Sequence, residues 1–242
     1  TGVVGEGGCN ISLGTSGTLF VSSKRYQEDK VNALHSFCHA DGGWHLMGCI
    51  LSAASCNSWW VNGILQSDDY KKEEAGLEEK MGKNDVFFLP YLMGERSPHN
   101  DTSARGAFIG MRADTTRGEM TLAMLEGVTF ALRDCLEAAK RNGVEIGRTK
   151  LCGGGAKSPL WRKIVANVMN MPVDLPQTEQ GPGFGAAMLA MVGCGEYHTV
   201  QAAADAIVRV RETVLPDPAI AAAYEQKYRH FTKLYPALKG LF

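Results

Sequence analysis

The chain has 242 residues, 45% of them apolar and 21% charged, with 25 Lys and Arg against 26 Asp and Glu for a net charge of -1. That length and apolar share suffice for a substantial core in one or at most two domains. The balanced charge, without a basic block or an alternation of basic and aromatic residues, argues against a nucleic-acid surface, and no stretch reaches the ~18 apolar residues of a membrane span.

The seven cysteines, Cys9, Cys38, Cys49, Cys56, Cys135, Cys152 and Cys194, are odd in number, scattered and never in a CxxC pair. They read as buried thiols in a reducing compartment, which makes the cytoplasm the expected location. Gly2 to Leu13 already reads as the middle of a fold, so an excised piece of a longer protein is expected.

In chain order, Ile11 to Ser23 gives two short β-type runs joined by Gly14-Thr15-Ser16-Gly17, which predicts a β-hairpin. A third apolar run, Trp44 to Ile50, follows the turn signal Asp41-Gly42-Gly43, and a helix rich in Ala and Trp is predicted over Ser52 to Leu65. Asp68 to Asp85 reads as a charged helix or surface insertion whose charges face solvent. Phe87 to Tyr91 is a short buried strand or turn, and Gly94 to Gly106 is a polar loop of a length that often carries function. Thr116 and Glu119 form a Thr-x-x-Glu capping box. It opens an amphipathic core helix with Leu125, Val128, Leu132, Cys135, Leu136 and Ala139 on one face and Asn142-Gly143 as its stop. Arg148 to Cys152 reads as a strand, Gly153 to Ala156 as a turn, and Ser158-Pro159 as the cap and first residue of a helix. A second such unit runs from strand Pro172 to Leu175 through turn Gly181 to Gly185 into helix Ala186 to Val192. From Val200 the chain is mostly helical and ends in a basic-aromatic helix, Tyr224 to Leu234. Strands alternating with helices after a β-hairpin predict an α/β fold with a mixed central sheet flanked by helices, as one domain over residues 1–242.

Two turns offer ligand chemistry. In Gly14-Thr15-Ser16-Gly17-Thr18, glycines let backbone N–H groups turn inward on an anion and hydroxyls add donors, so the segment reads either as a phosphate-holding turn or as a plain hairpin. In Gly153 to Ser158 a glycine turn meets a helix N-terminus, which favours negative or polar ligands. The competing reading is a tight β-to-α connection that needs small residues for packing. Neither the GxGxxG spacing nor a Walker pattern is present, since Ala156 precedes Lys157-Ser158. His35, His39 and His45 offer the ligand chemistry of a zinc site, but their spacing fits neither a helical face nor a finger, so hydrogen-bonded histidines on strand edges are expected. Glu95 and Asp101 form a carboxylate pair for acid-base work only if Arg96 and Arg105 do not take them as ion-pair partners. Trp59-Trp60 reads as core.

Gly106-Ala107-Phe108-Ile109-Gly110-Met111, followed after seven residues by Glu119-Met120 and then Ala123-Met124-Leu125-Glu126, resembles the second signature of the FGGY carbohydrate kinases, of the actin-like, ribonuclease-H-like ATPase superfamily. His35 to Ala40, Trp44 to Met47, Ala53 to Cys56 and Gly94-Glu95-Arg96-Ser97-Pro98-His99-Asn100 resemble the xylulokinase branch. The resemblance runs from about Gly2 to Gly193 and weakens over Asp68 to Asp85 and beyond His198. It implies a C-terminal ATP-binding domain in which Gly14, Thr15, Ser16, Gly17 and Thr18 lie against the phosphates and Gly154, Gly155, Ala156 and Ser158 line the adenosine. It also implies ATP or ADP with Mg2+ as cofactors and D-xylulose as the sugar, while a homodimer is expected where an apolar inter-domain face is left exposed. Gluconate, ribulose or a deoxy-ketose are the alternative sugars, and a non-catalytic actin-like module is the alternative class. The family's catalytic aspartate precedes the position matching Thr1, and its sugar pocket is built mainly by an N-terminal domain. The chain is therefore expected to carry no catalytic residue and to be inactive alone.

Overall fold

The computed structural model describes residues 1–31, 33–178 and 181–242. Its main sheet contains β1 (Cys9–Leu13), β2 (Gly17–Ser23), β3 (His35–Cys38), β4 (Trp44–Ile50), β7 (Thr149–Cys152), β8 (Val173–Pro176) and β9 (Val210–Val214), in the order β3-β4-β2-β1-β7-β8-β9. β1, β2, β4 and β3 pair antiparallel, β1 with β7 and β7 with β8 pair parallel, and β9 closes the far edge antiparallel. A separate hairpin joins β5 (Phe87–Leu89) to β6 (Ala107–Ile109).

The helices are α1 (Ala54–Ser58), which runs on into a π-helical stretch, Trp59–Ile64, then α2 (Tyr70–Glu74) and α3 (Arg117–Arg141). Beyond these come α4 (Pro159–Met169), α5 (Gly181–Gly193), α6 (Val200–Ile207) and α7 (Pro218–Leu238). Side chains alternate across a strand, so β1 sends Ile11 and Leu13 into one core with α3 and α4, while Asn10 and Ser12 face a second layer that includes Met188 of α5 and Ala204 of α6.

α3 begins at the predicted capping box, Thr116 accepting from Glu119 N while the Glu119 carboxylate accepts from Thr116 N, and it ends at Asn142. It is not amphipathic over its middle, since every residue from Thr121 to Leu136 is buried. The sheet covers one side, the β5–β6 hairpin another, and α7 a third. Buried polar contacts fix α7: Lys227 Nζ donates to Glu126 Oε2 at 2.6 Å and to the Asn84 carbonyl at 2.5 Å, and the Tyr228 hydroxyl donates to Asp134 Oδ1 at 2.6 Å.

Several expectations need correction. α5 begins at Gly181 rather than after a Gly181–Gly185 turn, and β3 and β9 lie in segments not read as strands. The charges of Asp68 to Asp85 do not all face solvent, because Glu73 binds Arg117 through both oxygens and Glu74 binds Ser158. Cys38 and Cys194 are exposed rather than buried, and Trp59 is half-exposed while Trp60 is core.

Candidate functional site

Parallel pairing of β1 with β7 puts Ser12 beside Cys152, so the Gly14–Gly17 and Gly153–Ser158 turns leave the carboxyl ends of adjacent strands. Open α/β sheets take ligands at that end. The two turns approach so closely that only glycine fits. Gly153 has φ +93°, and a Cβ there would lie 2.6 Å from the Leu13 carbonyl. At Gly155 a Cβ would lie 2.8 Å from the Trp161 ring and 2.9 Å from Leu13 Cβ.

In the first turn the carbonyls are held from behind. Gly14 O accepts from Ala54 N at 2.8 Å, and Thr15 O accepts from Ala53 N at 2.9 Å and from the Ser55 hydroxyl at 2.8 Å. Among the described residues, the N–H groups of Thr15 and Ser16 donate to no protein group, and Thr15 is exposed. Backbone donors left free in a glycine turn suit an anion. The segment that holds these carbonyls is braced by Glu95, whose Oε1 accepts from Leu51 N at 2.9 Å and Arg96 N at 2.7 Å. Glu95 is 2% exposed, its Oε2 has no partner, and burial pushes its carboxyl up to about 8. Asp101 instead accepts from the Tyr235 hydroxyl at 2.5 Å and Ser103 N at 2.8 Å, while Arg105 donates to the Thr102 and Ala104 carbonyls. Neither the proposed acid-base pair nor the simple ion pairs therefore describe these groups.

The second turn is a 3-10 turn, Gly154–Lys157, pinned by Arg162 Nε on the Ala156 carbonyl at 2.5 Å. Gly153, Gly154, Ala156 and Lys157 line a cavity of about 260 Å³ together with Arg162 and Phe184. A neighbouring cavity of about 460 Å³ is lined by Asn10, Ser12, Thr18, Phe20 and Met188, and Thr1, Cys152 and Gly181 line both. Of the predicted binding residues, Thr18, Gly154 and Ala156 thus line cavities, Gly14, Thr15, Ser16 and Gly17 form the adjoining turn, and Gly155 packs inward on Trp161. The Ser158 hydroxyl caps α4, accepting from Trp161 N at 3.0 Å.

Sequence reasoning missed Asn10, whose buried Oδ1 has no partner, and Gly181 and Phe184 at the start of α5. The Gly-Pro-Gly run at 181–183 drew attention only as a turn. His39 hydrogen-bonds the Val3 carbonyl at 3.1 Å and pairs with Asp41 at 2.7 Å, while His45 stacks on Phe20. Among the described residues, no three His, Cys, Asp or Glu side chains group as a metal-ligand set.

The xylulose kinase of Escherichia coli (strain K12) is 35% identical over 242 residues, covering 99% of this chain and 50% of its own length. The crystal structure of a xyloylose kinase from Brucella ovis superposes with TM-score 0.93 at 38% identity, covering 100% of this chain and 50% of that one. Gluconate kinase from Lactobacillus acidophilus shares the fold, with TM-score 0.85 at 24% identity over 95% of this chain and 47% of that one. The chain therefore spans about half the length of the relatives it matches. Its mixed seven-stranded sheet flanked by helices is the actin-like ATPase fold of these sugar kinases. The profile of the FGGY family of carbohydrate kinases, C-terminal domain, matches residues 9–194, and the chain belongs to that family.

Proposed function

We propose that the chain is the nucleotide-binding half of a kinase that transfers the γ-phosphoryl group of ATP to D-xylulose, giving ADP and D-xylulose 5-phosphate. One observation carries this reading: two glycine turns sit side by side at the carboxyl ends of β1 and β7, one with unpaired N–H donors and the other opening on a cavity. The free N–H groups of Thr15 and Ser16, with the hydroxyl of Thr18, would hold phosphates. Gly154, Gly155, Ala156 and Ser158 would flank the nucleoside. Mg2+ would arrive on the nucleotide, since the described residues supply no cage of side chains for it.

D-Xylulose is favoured over gluconate because the xylulose kinase of Escherichia coli is 35% identical over 99% of this chain, against 24% for the gluconate kinase. Phosphoryl transfer rests on alignment of the acceptor hydroxyl with the γ-phosphate. A chain spanning half its relatives' length would provide only the nucleotide side of that alignment, so it would be inactive alone. Seven cysteines without a disulfide suit a cytoplasmic setting.

Calorimetric titration of Mg-ADP into this chain, beside Gly154→Leu, tests the site. A Cβ at Gly154 meets no atom within 4 Å, and Gly154 lines the cavity, so the leucine adds bulk at the cavity wall. The expected result is binding by the wild type, weakened about tenfold or more by the variant at an unchanged unfolding temperature. Equal affinity would remove the nucleotide from this turn. A coupled assay of the chain with Mg-ATP and D-xylulose is expected to release no ADP, and steady turnover would refute the half-site reading.

A further inference from the structure

The fold sorts the cysteines into three kinds. Burial pushes the Cys9 thiol up to about 12 and raises those of Cys49, Cys56 and Cys135, which keeps them protonated and poor nucleophiles. Cys38 and Cys194 are exposed. Cys152, the last residue of β7, is half-buried and lines both cavities beside the glycine turns.

Parallel pairing sets Cys152 on the same face of the sheet as Asn10 and Ser12 of β1. Asn10 Nδ2 donates to Cys152 Sγ at 3.6 Å. The other end of that amide is unsatisfied: Asn10 is 9% exposed and lines the 460 Å³ cavity, and its buried Oδ1 has no partner. A buried carbonyl oxygen without a donor carries a desolvation cost that a donor on a ligand recovers. Phe20, Met47 and Met188 supply apolar walls for a short carbon chain. A sulfur nucleophile, an acceptor lacking a donor and an apolar wall thus meet in one cavity.

We propose that Cys152 is a thiol-modification site. It exchanges with a small disulfide that bears an ammonium or amide donor close to its sulfur, and the adduct occupies the larger cavity with that donor on Asn10 Oδ1. In the exchange, Cys152 releases its proton to solvent and the thiolate, with Asn10 Nδ2 donating to its sulfur, attacks one sulfur of the disulfide. The new Sγ–S bond forms as the reagent's S–S bond breaks, and the departing thiolate takes up a proton. Cys152 is oxidised and half of the disulfide is reduced. Because Cys152 belongs to the walls of both cavities, the adduct narrows the space beside both glycine turns, and reduction reopens it. That regulatory effect rests on the nucleotide reading given above; the thiol chemistry does not.

Two arms in the full 242-residue chain test the idea. In the first, without nucleotide, cystamine is compared with diethyl disulfide, which has the same short carbon chain and no ammonium group. Peptide mapping gives, for each reagent, the ratio of adduct on Cys152 to adduct on Cys38, and the intrinsic reactivity of the reagent cancels in that ratio. The ratio is expected to be about tenfold higher with cystamine, the size of one charge-assisted hydrogen bond, and Asn10→Ala is expected to remove the difference. Equal ratios for the two disulfides, or an unmodified Cys152 beside a modified Cys38, would overturn the proposal, as would a preference for cystamine that survives Asn10→Ala. In the second arm, Cys38→Ser together with Cys194→Ser removes the two exposed thiols. Mg-ADP is titrated into this protein before cystamine, after it, and after dithiothreitol. Affinity is expected to fall by about tenfold or more on modification and to return on reduction. Unchanged affinity of a protein modified at Cys152 would overturn the regulatory half. A well-folded unmodified protein that binds no Mg-ADP would overturn the nucleotide reading and the regulatory half with it, while the adduct ratio would still decide the thiol site.

Discussion

Glu95 shows how a single buried carboxyl ties the pH of the solution to the phosphate turn. Its Oε1 holds Leu51 N, and the next residues, Ala53 to Ser55, hold the Gly14 and Thr15 carbonyls. Burial raises its carboxyl from an ordinary 4.5 to about 8, against the weaker pull of the Arg96 and Leu51 N–H groups. Between those values the native chain keeps a proton that the unfolded chain has released. The stability linked to Glu95 is therefore complete below about pH 4.5 and is lost as pH rises toward about 8. Glu95→Gln keeps an acceptor for both N–H groups and removes the titration. Urea midpoints measured across this window are expected to fall more steeply for the wild type, the gap between the two proteins growing by at most about 1.4 kcal/mol per pH unit. Asp134, raised by burial to about 7, acts in the same direction in both proteins and also raises Glu95, so the difference reads Glu95 together with its coupling to Asp134. Parallel curves would mean that Glu95 is ionised in the native chain at neutral pH. None of this was legible in the sequence, where Glu95 stood beside Arg96 and near Asp101 and suggested ion pairs; its depth depends on β4 and the 94–106 loop closing over it.

At the scale of elements, short-range signals read well and long-range ones did not. The capping box of α3 and the Ser158-Pro159 start of α4 lie within four residues of what they stabilise, and both are present as expected. β9 escaped notice because Val210–Val214 is largely exposed and has no buried face to impose alternation; only its pairing with β8 makes it a strand. Gly127 belongs to the same class. In the interior of α3 a glycine is ordinarily about 1 kcal/mol worse than alanine. Here a Cβ would overlap the carbonyl oxygen of Phe88, a backbone atom of β5 that cannot rotate away. The steric cost outweighs the gain in helix propensity. Gly127→Ala is expected to destabilise the chain by about 1–3 kcal/mol, read as a lower denaturant midpoint at constant slope. A stabilised variant would show that the hairpin of β5 and β6 yields at little cost.

For the whole molecule, the sheet order turns two weak local signals into one site. Gly14–Gly17 and Gly153–Ser158 were recognisable as turns, and the resemblance supplied their roles, but their contact across β1 and β7 required the parallel pairing. Glu74 and the start of α5 come from segments that sequence reasoning left as surface or turn, and only the fold brings Glu74 to Ser158 and the start of α5, with Asn10, to the cavities beside the turns. α5 carries a further consequence. Gly181–Gly193 contains no charged residue, yet of its side chains only Met188 is buried, and Leu189 and Met191 remain 44% and 37% exposed. An apolar helix left open in this way favours association between molecules. Sedimentation and light scattering of the wild-type chain are expected to show association that grows with concentration, and Met191→Lys together with Leu189→Lys to reduce it. The exposed positions contribute little packing, so the unfolding temperature of the double variant is expected to stay within about 3 °C of the wild type. A wild-type chain that remains monomeric at high concentration would show that exposure on α5 is too small or too dispersed to act as a contact surface. A double variant that loses much more stability than this would show instead that Leu189, which also lines the larger cavity, belongs to the packing beneath α5.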